Sequence, residues 1–179
     1  MKTIGMVSRI EEGKGQDTLI DAVLILKTEI KDIQALIVGE GPDTDLRLKI
    51  KKLKLGNNVK LLGFQEDLAK TLRGFDVFVF PTYWSLEGFG MVLLEAMNYG
   101  VPIVATNFGP IPEIVKDVAI LVPPKDPRSL AEALKKVITN KKLARIMIAS
   151  GHKRVKDFDI KTIADKYFEI LLETTKINA

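Results

Sequence analysis

The chemistry-bearing residues of this chain concentrate in Glu87-Gly88-Phe89-Gly90-Met91, with Glu95 close behind. Gly88 and Gly90 let a ligand approach the backbone, and the helix that opens at Met91 offers free N–H groups to it. Glu87 precedes the glycines and Glu95 lies about one turn into that helix, so two carboxylates flank one anion-binding loop. Paired carboxylates serve glycosidases. Beside phosphate-type donors they suit instead the hydroxyls of a sugar and a ribose. A second anion site is expected near the start of the chain. There Arg9 and Lys14 flank the Gly13-Lys14-Gly15 turn, which also opens a helix. Gly39-Glu40-Gly41-Pro42 supplies a third turn of the same kind, with Pro42 suited to a helix entry.

Other features carry less. Asp43-Thr44-Asp45 has the spacing of a metal-diphosphate ligand, but it sits at a helix start. Aspartate there is expected as a cap and dipole partner. The loop from Thr106 to Glu113 is placed to close over a ligand. Tyr83 and Trp84 suit either stacking on a ligand or structural packing. His152 lies in a basic helical stretch and reads as a surface residue. None of the three Gly-x-Gly turns completes G-x-G-x-x-G: Thr18, Thr44 and Leu93 stand where the third glycine would be. A nicotinamide dehydrogenase is disfavoured for that reason, and no P-loop is present.

The elements that must position these residues alternate. Short apolar runs at Thr3–Ser8, Ile33–Val38, Val59–Leu62, Val77–Phe80, Ile103–Thr106 and Ala119–Val122 read as strands. Helices are expected at about 16–30, 44–54, 67–72, 91–99, 112–115, 129–139, 142–156 and 160–174. The fold class is therefore α/β, a Rossmann-like doubly wound sheet of about six parallel strands with helices on both faces. Runs such as ALIV and VFVF are apolar throughout, as a sheet covered on both faces requires. Residues 1–179 read as one domain, with the helices from about residue 142 packed outside the sheet. In such a sheet ligands bind beyond the carboxyl ends of the strands.

Composition narrows the function further. The 179 residues fit a single domain on a prior of roughly 150 residues each. The chain has no Cys and one His, which excludes a disulfide framework, a thiolate metal site and a Cys nucleophile. The net charge of +4 is mild. Lys49, Lys51, Lys52 and Lys54, and likewise Lys135, Lys136, Lys141 and Lys142, are expected as solvated helix faces, so nucleic acid is not an expected partner. No signal peptide is apparent, and no apolar run approaches the roughly 20 residues of a membrane span. A cytoplasmic location is expected.

The 87–97 stretch resembles the E-x7-E motif of retaining, family-four type ("group 1") glycosyltransferases of the GT-B fold. The similarity continues through Gly100–Thr106, Arg9 with Lys14-Gly15, Val38–Pro42, Leu62-Gly63-Phe64, Pro112–Val115, Leu121–Pro124 and Asp126-Pro127. It runs in order over nearly the whole chain. The resemblance implies a domain that binds a UDP-, GDP- or ADP-sugar as donor substrate, with no bound cofactor or metal. By that resemblance Arg9 and Lys14 hold the diphosphate and Glu87 lies at the donor sugar. Glu95 would bind ribose hydroxyls. Gly88, Phe89, Gly90 and Met91 would meet sugar and phosphate through their backbone, Gly39 would line the site, and Phe64 and Gln65 would receive the base. Three departures stand out: Ser8 and Pro110 replace common glycines, and an N-terminal acceptor domain is expected to be missing. The implied reaction is hexose transfer to a glycan or lipid-linked acceptor, by an enzyme at the inner face of the membrane and inactive without its other half. Alternatives are a non-catalytic nucleotide-sugar-binding module or partner subunit, or a similar epimerase or phosphorylase.

Overall fold

The computed structural model describes residues 1–177. Its strands are β1 (Lys2–Val7), β2 (Ile33–Val38), β3 (Val59–Gly63), β4 (Val77–Phe80), β5 (Ile103–Thr106) and β6 (Ala119–Val122). Its helices are α1 (Gln16–Leu26), α2 (Thr44–Lys52), α3 (Leu68–Arg73), α4 (Met91–Asn98), α5 (Ile111–Val115), α6 (Pro127–Thr139), α7 (Lys141–Arg154) and α8 (Ile160–Ile177). Short 3-10 turns follow α5 at Lys116–Val118 and α7 at Val155–Phe158.

All strand pairs are parallel, in the order β3-β2-β1-β4-β5-β6. The chain builds outward from β1 to β3, then crosses back to place β4 on the other side of β1. That reversal makes the carboxyl ends of β1 and β4 the switch point where the following connections diverge and leave a crevice.

Alternation along the strands divides the core. Ile4, Met6, Val77 and Val79 face one side, against Leu19, Ile20 and Val23 of α1 and Leu130 and Leu134 of α6. Phe78 and Phe80 face the other, against Leu93 and Met97 of α4 and Ile111 of α5. Both sheet faces are covered, which is why these strands carry no polar alternation. The helix α7 packs on α6, α4 and the 116–118 turn, while α8 contacts the 155–158 turn.

Several expected details differ. The α1 helix ends at Leu26 rather than Ile30. Tighter bonds from the Thr28 and Glu29 N–H groups to Ile25 and Leu26 turn the chain toward β2. The α7 helix stops at Arg154, short of Lys156, where a 3-10 turn takes over. Asp43 stands at the start of α2, yet its carboxylate caps no N–H; it pairs with Arg47 at 2.6 Å. Lys49 is not a solvated charge. It binds the Asp21 carboxylate at 2.7 Å and the Asp17 carbonyl at 3.0 Å, tying α2 to α1. His152 is exposed, as expected.

Candidate functional site

Two central helices start at the switch point, and each starts from a left-handed glycine. Gly15 precedes α1 with φ 86°, and Gly90 precedes α4 with φ 66°. At Gly15 a side chain is also excluded by space: an added Cβ would lie 2.2 Å from the Pro81 carbonyl oxygen. The β1–α1 loop thus rests directly on the β4–α4 loop. Neither helix start carries a side-chain cap hydrogen bond, so first-turn N–H groups of both are left for a ligand; α4 has no acidic residue in its first turn, while α1 has Asp17.

The contact between the loops is reinforced by backbone polarity. The Gly13 carbonyl accepts from the Tyr83 N–H at 2.7 Å and from the Thr82 hydroxyl at 3.1 Å. The Thr106 hydroxyl donates to the Thr82 carbonyl, so β5 joins the same network. Thr82 and Thr106 are fully buried. Gln16 donates to the Arg9 carbonyl at 2.7 Å and to the Ser8 hydroxyl at 3.1 Å, which fixes the rising limb of the first loop.

This scaffold brings Lys14 to Glu87. The Lys14 Nζ lies 2.9 Å from the Glu87 Oε2, and the two side chains are only 9% and 10% exposed. The Lys14 ammonium also sits 3.8 Å from the centroid of the Trp84 ring. A cation so placed gains from the ring's negative face. Arg9 is different. Its guanidinium lies on the exposed rim, 5.8 Å from the same ring, with Glu11 at 3.1 Å. The crevice therefore has one buried cation, Lys14, and an exposed rim cation, Arg9, paired with Glu11.

The other expected site residues are distributed around this pair. Gly39 adopts φ 133°, and a Cβ there would meet the Ser8 carbonyl oxygen at 1.9 Å, so it seats the β2–α2 turn against the first loop. Gly88, Phe89, Gly90 and Met91 run from Glu87 into α4. Glu95 is half-buried on α4, and among the described residues no hydrogen bond or ion pair engages its carboxylate. Phe64 and Gln65 line a separate cleft of about 690 Å³ with Leu62, Glu66, Lys70 and Phe75. The Phe64 ring is exposed there, and the Gln65 amide N–H donates to the Leu62 and Phe64 carbonyls.

Some contributors had no usable signal in the sequence. The roles of Gln16, Thr82 and Thr106 depend on which backbone oxygen passes nearby. Trp84, equally suited to packing or stacking, proves to be the floor under Lys14. Tyr83 lies beneath Lys125, whose Nζ is 4.3 Å from its ring. Burial, and then the charges of Asp17 and Glu12, push the Tyr83 phenol above its usual value, so it remains a neutral hydroxyl. Among the described residues no cluster of three or more His, Cys, Asp or Glu could hold a metal ion, and no helix is long and apolar enough to cross a membrane.

A Rossmann-like sheet with a cationic crevice at its switch point is shared by many proteins; comparison with known ones decides among them. Residues 1–154 match the family described as "Glycosyl transferases group 1". The chain belongs to the group 1 glycosyltransferases. Among curated members, it is 32% identical to a phosphatidyl-myo-inositol mannosyltransferase of Mycobacterium leprae, over 94% of this chain and 46% of that protein. It is 30% identical to the lipopolysaccharide core biosynthesis mannosyltransferase LpsB of Rhizobium meliloti, over 74% of this chain and 40% of that one. The chain thus spans less than half of these two group 1 enzymes.

Solved group 1 structures show the same fold. The crystal structure of Anabaena HepE in complex with UDP superposes with a TM-score of 0.82 at 30% identity, over 96% of this chain and 48% of HepE. The C-terminal domain of LpcC, a group 1 protein from Francisella tularensis, superposes with a TM-score of 0.76 at 30% identity, over 87% of this chain and 84% of that domain. That likeness, to a domain solved on its own, spans most of both chains.

Proposed function

We propose that this chain is the donor-binding domain of a retaining glycosyltransferase, which moves a hexose from a UDP-, GDP- or ADP-sugar to a glycan or lipid-linked acceptor. The observation that carries the reading is the placement of Lys14. A buried ammonium stands between two helix starts with free N–H groups, beside the glycine loop of α4. That is an environment for a dense anion, and a diphosphate is the anion that a nucleotide sugar brings. The names of relatives support the class. HepE was solved with UDP and with UDP-glucose, and one relative is described as GDP-mannose-dependent.

Breaking the sugar–diphosphate bond leaves negative charge on the diphosphate. Lys14, the α1 and α4 N–H groups and the rim cation Arg9 stabilise that charge as it develops. An incoming diphosphate competes with Glu87 for Lys14, which frees the Glu87 carboxylate for the sugar hydroxyls. Glu95, whose carboxylate has no partner among the described residues, takes the ribose hydroxyls, and Phe64 and Gln65 border the cleft for the base. The acceptor hydroxyl attacks the anomeric carbon on the leaving-group face, with the acceptor held by an N-terminal half that this chain requires for turnover. The donor is the only nucleotide needed, with no resident cofactor or metal. The full enzyme works in the cytoplasm, against the inner face of the membrane where lipid-linked acceptors lie.

Titration calorimetry with UDP, GDP and ADP and their hexose conjugates tests this. Binding of one nucleotide family is expected. Binding of none would refute the donor assignment.

A further inference from the structure

The glycine loop before α4 is anchored at two points, and only one belongs to the anion crevice. Upstream, Glu87 is held by Lys14. Gly88 itself faces open space, since a Cβ there would find nothing within 4 Å. The second anchor is Phe89. Its ring meets that of Phe158 edge to face, with centroids 5.4 Å apart and planes at 80°. This is the favoured geometry for an aromatic pair.

Phe158 is itself held firmly. It closes the 3-10 turn Val155–Phe158, and the Arg154 guanidinium lies 4.5 Å from its ring centroid. Arg154 is nearly buried, with its side chain 11% exposed. It donates to the Ile114 carbonyl at 3.0 Å, the Glu113 carbonyl at 2.8 Å and the Asp157 carboxylate at 2.7 Å. The last bond also draws the Asp157 carboxyl below its usual value. One guanidinium therefore ties the end of α5 to the turn and backs the ring that meets the loop.

We propose that Phe158 is a positioning residue for donor binding, holding Phe89 and through it the Gly88–Met91 backbone where the sugar end of a nucleotide sugar is received. The inference rests on the donor reading above, and adds a residue some 70 positions away from the loop. Physically, a loop of two glycines must be ordered before its N–H groups can serve a ligand, and that ordering costs free energy at binding unless it is met in advance. The Phe89–Phe158 contact meets it in the free protein. Asp159, between Phe158 and the first residue of α8, accepts from the Lys161 N–H at 3.0 Å through its carboxylate. The loop is thus seated on the segment from which α8 departs.

The test compares Phe158→Ala, Phe158→Leu and Phe158→Tyr in the whole chain, by amide hydrogen exchange without ligand and by calorimetry with UDP against UDP-glucose and GDP against GDP-mannose. With Phe158→Ala, exchange at Gly88–Met91 is expected to rise while β1 and β4 stay protected. The gain in affinity that the hexose adds over the bare nucleotide should fall by about threefold or more, the scale of one aromatic pair. Phe158→Tyr, which keeps the ring, should restore both, and Phe158→Leu, which keeps only bulk, should not. Unchanged exchange at 88–91 in Phe158→Ala overturns the proposal, as does an equal rise across β1 and β4. So does full restoration by leucine. The exchange measurement needs no ligand, so failure of the wild type to bind any nucleotide would strike the donor reading and the hexose effect, distinguishably from failure of the loop contact.

Discussion

Replacing Lys14 by methionine separates the two roles of the buried pair. Methionine keeps much of the apolar stem but removes the charge, leaving Glu87 beside Trp84 without its cation. Removing one partner of a fully buried pair costs about 3–5 kcal/mol, because the remaining charge stays desolvated. Here the side chains are 9% and 10% exposed at the edge of an open crevice, so Glu87 can recover some hydration. That sets the expected loss for Lys14→Met at the low end, about 3 kcal/mol. Glu87→Gln leaves Lys14 a neutral acceptor and should cost about 1–2 kcal/mol. The double variant removes both charges together and should lie within about 1 kcal/mol of wild type, giving a coupling of about 3 kcal/mol or more. Urea unfolding with an unchanged m-value measures all four corners of the cycle. A Lys14→Met variant within about 0.5 kcal/mol of wild type, with additive effects, would refute the buried-pair argument. The same variant should lose at least ~10-fold in nucleotide affinity, about 1.4 kcal/mol.

Arg9→Ala should dissociate stability from binding. The exposed side chain makes only a rim ion pair with Glu11 and a distant contact with the Trp84 ring, so unfolding should shift by no more than about 0.5 kcal/mol, while calorimetry should show at least ~10-fold weaker nucleotide binding. Gly39→Ala forces a Cβ against the Ser8 carbonyl oxygen at an unfavourable φ, and thermal or urea unfolding should show a loss of about 2–4 kcal/mol. Asp126, at the start of α6, is held below the usual carboxylate range by the Ser129 hydroxyl and then by the Ser129 and Arg128 N–H groups. Its folded-state value is lowered, so its contribution is full above the ordinary range and is lost as pH falls below about 4. Asp126→Asn should flatten that acid limb in a stability–pH profile and change little at neutral pH, since asparagine also caps.

Much of this protein is legible in one dimension. Strand and helix positions follow from apolar periodicity, because both faces of the sheet demand apolar residues of β-branched or aromatic type. Departures cluster at helix ends, where α1 and α7 stop early for reasons of chain direction rather than propensity. The candidate site residues Arg9, Lys14, Gly39 and Glu87 stand at turns where strands give way to helices, and Glu95 stands inside α4. Their partners were not. Asp43 looks like a cap and is an ion-pair partner of Arg47; Lys49 looks like surface and is a tether between helices.

The alternation of elements, the glycine turns and the kinds of charge placed at them are written locally in the chain, since each depends on neighbours within a few residues. Strand order is set by the assembled fold, and with it the meeting of Lys14 and Glu87 across 73 positions. It alone placed Trp84 beneath that ammonium and Phe158 against Phe89. Such contacts depend on where β4 returns to the sheet and on how helices pack over its faces. No local pattern encodes that, because the free energy that selects it comes from burying the two cores at once.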